Sequence, residues 1–439
     1  MKNPIKTSAV VATLALALGG CDLLDVDNPN NLVEESIRRE AAANAVVNGS
    51  QALVASAVSQ IWQPYLVASD EFYWIGSRDA WLQLDQGFIS NPANEFTDAA
   101  FPSIAQARWM ADEAVEILTE HVAETPTAAL QTELARAHLF AGIIHMIIGE
   151  VQEDFAESDK MEAGPPKGPS NMYTLLEEAI THLNAAVDGL SGEQRTQALA
   201  VRARARHSLE IWHKIKPSPN TADPLVSSQS AVDDALAVIG AAGGVGADWN
   251  YNFHYSAGTV DNDMADWIND RKENQVDLSL VTVTAANDID QIALMDPIDD
   301  VPDPALEMRI STFKDGPFNS KGSVYPPMTL ASTRLMHLIA AEHALANGDD
   351  AGFTTHINHV RAMDELTPYS GQVPAMDMLQ HERRVNLFVM GLRLSDMYRF
   401  GVQDVNWEPA GDAIKAPGTR LPITNVEITA NCHMNGLGC

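Results

Sequence analysis

The feature that most limits what this chain can fold into is a succession of alanine-rich runs whose apolar residues recur at helical spacing. They lie at 36–62, 101–121, 128–149, 173–189, 194–214, 231–239, 328–346, 351–363 and 376–400. In the last run Val385, Phe388, Val389 and Leu392 fall at i, i+3, i+4 and i+7, which predicts one continuous helix with a single apolar stripe. A helix apolar on one side must bury that side against a neighbour. Short turns such as Gly189-Leu190-Ser191-Gly192 and Asn347-Gly348-Asp349 supply neighbours in sequence. The expectation is a mostly α-helical protein with few strands.

Helices paired over such short turns suggest a tetratricopeptide-like scaffold of helical hairpins, although no clean period of about 34 residues emerges and a non-repetitive bundle fits the pairing equally. Three stretches rich in Gly, Pro, Asn, Asp and aromatics interrupt it, near 63–97, 240–274 and 288–327. They read as long loops or small-strand insertions, the usual place for binding residues. The chain is only 6% aromatic, yet Trp62, Tyr65, Phe72, Tyr73, Trp74 and Trp81 crowd the first and Trp249, Tyr251, Phe253, Tyr255 and Trp267 the second. Indole and phenol rings stack on the C–H faces of sugars while amides and carboxylates hold the hydroxyls. Trp74, Trp81 and Trp267 stand beside Arg78, Asp79, Gln83, Asp85, Asn269 and Asp270 in sequence. The candidate ligand-binding residues are therefore Trp74, Arg78, Trp81, Trp249, Tyr251 and Trp267. The competing reading is that aromatics pin the insertions to the helices. The alternation Trp249-x-Tyr251-x-Phe253-x-Tyr255 is also what a strand with one buried face shows.

The first twenty residues carry Lys2 and Lys6, an apolar stretch from Ala9 to Leu18 and the small pair Gly19-Gly20, the three parts of an export signal. The stretch is shorter than the roughly 20 residues a spanning helix needs. Leu18-Gly19-Gly20-Cys21 resembles a lipobox, which implies cleavage before Cys21 and acylation of its thiol. Several acyl chains make a stable anchor where one does not. Residues 21–36, acidic and Asn-rich, read as a tether, and 37–439 as a single domain. Lys+Arg 28 against Asp+Glu 59 gives a net charge of −31, which opposes nucleic acid and anionic lipid as partners. Cys432 and Cys439 suit a disulfide in an exported protein, with metal binding alongside His433 as the alternative.

No HExxH, GxSxG, Walker or dinucleotide motif is present, so no catalytic residue and no cofactor is assigned. The helical histidine pairs His138/His145, His337/His343 and His356/His359 lack a third ligand nearby in sequence, which favours packed or solvated roles and no metal site. The acidic runs 288–290 and 296–303 lack EF-hand spacing and contain Pro297 and Pro302, so they read as solvated loops.

Near the C-terminus, Glu382, Arg383, Gly391, Arg393, Asp396, Arg399 and Gly401 match the terminal signature of the SusD/RagB family of outer-membrane nutrient-binding lipoproteins, which this chain resembles. Asn386 and Met390 replace two usual acidic residues. Arg334-Leu335, the Ala341-Glu342 centre, Asn347-Gly348-Asp349, Arg361-Ala362, Asp303-Pro304 and Pro422-Ile423 continue the likeness. The resemblance implies a lipoprotein on the outer face of the outer membrane that passes an oligosaccharide or other nutrient to a TonB-dependent, SusC-like transporter without chemistry. A non-catalytic scaffold lipoprotein and a glycan-degrading enzyme are the rivals. The signature reads as scaffold: Arg393/Asp396 and Asp396/Arg399 can pair three apart, each exposed pair worth about 0.2–0.5 kcal/mol.

Overall fold

Hydrogen-bonding side chains begin several of the helices. The computed structural model describes residues 37–159, 162–286, 288–318 and 321–439; the export signal, Cys21 and the tether lie outside them. The Asn94 side chain accepts from the N–H groups of Phe96 and Thr97, Thr127 from Leu130, Ser332 from Leu335 and Asp349 from Gly352. Each cap satisfies donors that the first turn leaves unpaired, worth about 1 kcal/mol.

The principal helices are α1 (Ala43–Val67), α2 (Asp79–Asp85), α3 (Glu95–Glu124), α4 (Ala128–Val151), α5 (Tyr173–Gly189), α6 (Gly192–Ile215), α7 (Gln229–Ala241), α8 (Pro304–Lys314), α9 (Thr333–Ala346), α10 (Asp350–Met363), α11 (Ala375–Asn386) and α12 (Arg393–Phe400). Packing follows chain order: α1 lies on α3 and α4, α3 on α4, α4 on α5, α5 on α6, α6 on α7, α7 on α9 and α9 on α10. The result is a row of helical hairpins, each leaning on the next. Helix α4 is long and apolar enough to cross a membrane by composition, yet it is buried within this row. Its approach to α5 depends on Gly142, where a Cβ would stand 2.6 Å from Cγ of Leu183.

Among the described residues, three two-stranded antiparallel sheets decorate the helices. β1 (Phe72–Trp74) pairs with β3 (Asn274–Val276), β2 (Asn250–Phe253) with β6 (Met328–Ser332), and β4 (Val281–Ala285) with β5 (Asp288–Ile292). Tyr251, Phe253 and Tyr255 are buried while Asn250 and Asn252 are half-buried, as the alternating pattern implied. The run 328–346 thus opens as a strand, and the stretch 288–327 contains α8, capped by Asp303 with Pro304 in its first turn.

The signature segment departs most from expectation. It is two helices, α11 and α12, and not one over 376–400. Between them Val389 and Gly391 take left-handed backbone, with φ of +59° and +70°. For a β-branched valine that conformation costs on the order of 1–3 kcal/mol. It is held by Glu71, whose Oε1 accepts the Val389 N–H at 2.8 Å. Gly391 is required by closeness as well as by φ, since a Cβ would stand 2.6 Å from Nε1 of Trp62.

Nor are the signature charges exposed. Arg393 pairs with Asp70, Nε to Oδ1 at 2.6 Å and Nη2 to Oδ2 at 2.7 Å, instead of with Asp396. Asp396 takes Arg383 at 2.8 Å and Arg399 at 2.9 Å. Arg399 also holds Glu342, which accepts from Val226 N–H and meets His207 Nε2 at 3.1 Å. Both Glu342 and Arg399 are wholly buried. The Arg399 guanidinium, with His207 and Arg383, outweighs burial and holds the Glu342 carboxyl well below its usual range. Asn386 proves apt where an acid was expected: its Oδ1 accepts from Arg334 at 2.8 Å and its Nδ2 donates to Glu382 Oε2 at 2.9 Å. A second carboxylate there would face Glu382.

Removing one member of a buried ion cluster strands the others. Glu342→Gln should lower unfolding free energy by about 3–5 kcal/mol in urea titrations; a change below 1 kcal/mol would mean the cluster is not a stability determinant.

Candidate functional site

The inserted aromatics divide into two groups around α1. Gln60 and Gln51, nine residues apart on α1, lie about 13 Å apart along its axis and point to opposite sides. Each lines a different cleft.

The first cleft, about 290 Å3, is lined by Gln60, Gln63, Glu95, Phe96, Ala99, Ala100, Asp263 and Trp267. A short helical segment, Asp263–Ala265 continuing into Asp266–Asp270, positions Trp267; the Asn262 side chain caps it by accepting from Ala265 N–H and is itself tied to Pro326 O. The half-buried Trp267 ring meets the edge of Phe96 at 5.0 Å and of Trp81 at 5.9 Å. Guanidinium carbons of Arg271 and Arg78 lie 4.5 and 5.5 Å from its centroid. Arg271 is paired with Asp266 at 2.7 Å and Arg78 with Glu95 at 2.6 Å. Gln60 accepts from the Ser103 hydroxyl and donates to Ser56 at 3.2 Å. Gln63 is buried, and its Nε2 makes no hydrogen bond within the protein. Burial, reinforced by Asp261 and Asp266, raises the Asp263 carboxyl above its ordinary value.

Of the six candidates, Trp267 and Arg78 thus come together. Trp81 does not present a face: it is fully buried and stacked on Phe96, centroids 3.5 Å apart and planes 7° apart. It supports Trp267 from behind, at 5.9 Å edge to face. Trp74 is half-buried on β1, outside the cleft lining, with Nε1 buried and unpartnered. Trp249 and Tyr251 belong to the second cleft region. Trp249 Nε1 donates to Glu193 at 2.8 Å. Tyr251, buried at 7% exposure, edges a polar cleft of about 370 Å3 with Gln51, Arg136, Glu193, Gln197 and Asn252. The sequence reasoning missed Gln60 and Gln63. The signal available was two amides three residues apart on one face of the otherwise apolar last two turns of α1.

Asp85, expected at the edge of a sugar site, is instead buried beneath β1. Its carboxylate accepts from Trp74 N–H at 3.4 Å and from Asn406 Nδ2 at 3.3 Å. Burial, with Asp404 and Asp277 nearby, pushes it up to about 7. Asp404 is also pushed to about 7, by burial first and then Asp277 and Asp70. Cys432 and Cys439 are joined as a disulfide, Cα atoms 4.9 Å apart.

No family model matches the sequence, and a search of curated proteins finds no match. Solved structures do match. A SusD superfamily protein from Bacteroides vulgatus superposes with a TM-score of 0.62 at 13% identity, over 90% of this chain and 98% of its own. The fold is SusD-like. A second SusD superfamily protein, from Bacteroides fragilis, gives 0.58 at 14% identity over 90% and 98%. A SusD-like carbohydrate-binding protein from Bacteroides vulgatus gives 0.56 at 11% over 82% and 83%. The mostly helical SusD-like scaffold expected from the sequence is therefore present.

The raised aspartates make a pH prediction. With folded values near 7 against about 4 in the unfolded chain, the folded protein holds protons the unfolded chain releases. Their contribution to stability is full below pH 4 and lost as pH rises through 7. The thermal midpoint should fall by a few degrees from pH 5.5 to 8.5, and Asp404→Asn should flatten that slope and raise the midpoint at pH 8.5; an unchanged slope would remove Asp404 from the account.

Proposed function

We propose that this SusD-fold protein is an outer-membrane lipoprotein, anchored through Cys21 and facing the cell exterior, that captures an oligosaccharide at Trp267. It delivers the glycan to a TonB-dependent, SusC-like barrel transporter and makes or breaks no bond. The observation that carries this reading is the Trp267 cleft itself. A half-exposed indole held edge-on by Phe96 offers a rigid stacking platform, and Gln60, Gln63 and Asp263 stand at its rim. At about 290 Å3 the cleft is small among ligand pockets, which suits the end of a glycan better than a long stretch of one. Exposed Arg78 and Arg271 at the ring can exchange their carboxylate partners for sugar hydroxyls. The Cys432–Cys439 disulfide supports an oxidising location, and the export signal with its lipobox supports the anchor.

Calorimetric and tryptophan-fluorescence titration of the mature protein against a panel of oligosaccharides and peptides tests the reading. Saturable glycan binding should weaken at least tenfold in Trp267→Ala and in Gln63→Ala, and stay unchanged in Trp249→Ala. Binding that persists in Trp267→Ala would move the site elsewhere, and binding of peptides alone would change the ligand class.

A further inference from the structure

The hairpin helices bring together a set of side chains that nutrient capture does not use. Asp112 comes from α3, His138 and His145 from α4 two turns apart, and His182 from α5. Asp112, His145 and His182 each bring one donor atom to within 4.8 Å of the other two. Nε2 of His145 lies 3.0 Å from Oδ1 of Asp112. The rings of His145 and His182 are stacked, 5.5 Å apart and 22° from parallel. Nδ1 of His182 faces Nδ1 of His138 at 2.9 Å.

Two features mark this set out from ordinary packed histidines. His145 is 4% exposed, and its Nδ1 faces Oε2 of Glu178 at 3.4 Å, an outer carboxylate of the kind that orients a metal-ligating imidazole, while Lys167 holds the other oxygen, Oε1, at 3.0 Å. Second, Asp112 keeps 32% of its side-chain surface open, so an ion has a path from solvent. Arg108 contacts only its other oxygen, Oδ2, at 3.3 Å.

We propose that Asp112, His145 and His182 form a binding site for a divalent first-row transition metal, with zinc the best fit. Two imidazoles and one carboxylate are a borderline-hard donor set that suits zinc and excludes calcium and magnesium, which take oxygen. Tetrahedral zinc at about 2.0–2.1 Å from its ligands holds donors about 3.4 Å apart. The present spacings, 3.0 Å between His145 and Asp112 and within 4.8 Å for the whole set, bracket that value. His138 then serves as the outer partner that orients the His182 ring, and solvent supplies the fourth ligand. Because the ligands come from three successive helices, the ion would clamp α3, α4 and α5 together.

The test is calorimetric titration of the chelator-stripped mature protein, in mild detergent, with zinc chloride. One equivalent should bind at micromolar or tighter affinity, and Asp112→Asn and His182→Gln should each weaken it at least tenfold. Thermal unfolding of each variant without metal checks the fold. X-ray absorption of the zinc-loaded parent protein, which needs no variant, should show two imidazoles in the first shell. Absence of binding at 100 μM zinc, undiminished binding in both folded variants, or a first shell without imidazole would each overturn the site. A glycan ligand, or the lack of one, leaves this result unaffected.

Discussion

The pairing of buried arginines with buried carboxylates around α11 and α12 is what the rest of the architecture rests on. Arg399 and Arg383 converge on Glu342 and Asp396, Arg361 on Asp296 and Glu382, Arg204 on Glu150, and Arg393 on Asp70. Each joins elements that apolar packing alone would leave free to slide. Guanidinium forks accept few geometries, so each pair sets a distance and an angle between two elements. A pair of charges in so dry a setting adds little net stability over an apolar contact, yet a missing partner is expensive. That asymmetry favours one arrangement of the helices over near alternatives.

Much of this was legible in the residues, and the reasons for the remainder are physical. The paired helices were visible because period and turn chemistry agree, as at Asn347-Gly348-Asp349. The break at 387–392 was not, because Val385, Phe388, Val389 and Leu392 are all buried. Helical spacing therefore continues through a segment that is not helical. What ends α11 is Glu71, more than 300 residues earlier, holding the Val389 N–H. Helix α8 was hidden in an acidic, proline-rich stretch, although Asp303-Pro304 is a cap followed by a favoured first residue.

The same limit applies to the sites. Trp81 and Trp267 have similar sequence neighbours, yet Phe96, arriving in the first turn of α3, stacks flat on the buried Trp81 and meets the half-buried Trp267 only by an edge. His145 looked like half of an incomplete pair because its companions Asp112 and His182 are contributed by adjacent helices. Spacing along one helix registers ligands within that helix and is blind to those arriving from the next.

The long reach of these contacts also fixes when the molecule can be finished. Asp70 waits for Arg393, Tyr65 for Ser395 and the carbonyl of Ala68 for Trp407, partners separated by 323, 330 and 339 residues. During synthesis the early hairpins can form locally, but Asp70, three residues past α1, keeps an unsatisfied charge until Arg384 and Arg393 emerge. Loop closure of that length is slow compared with helix pairing. A chain truncated before α11 would carry every early hairpin and still leave the buried Asp70 carboxylate without either guanidinium that faces it, which ties the N-terminal helices to segments made more than 300 residues later.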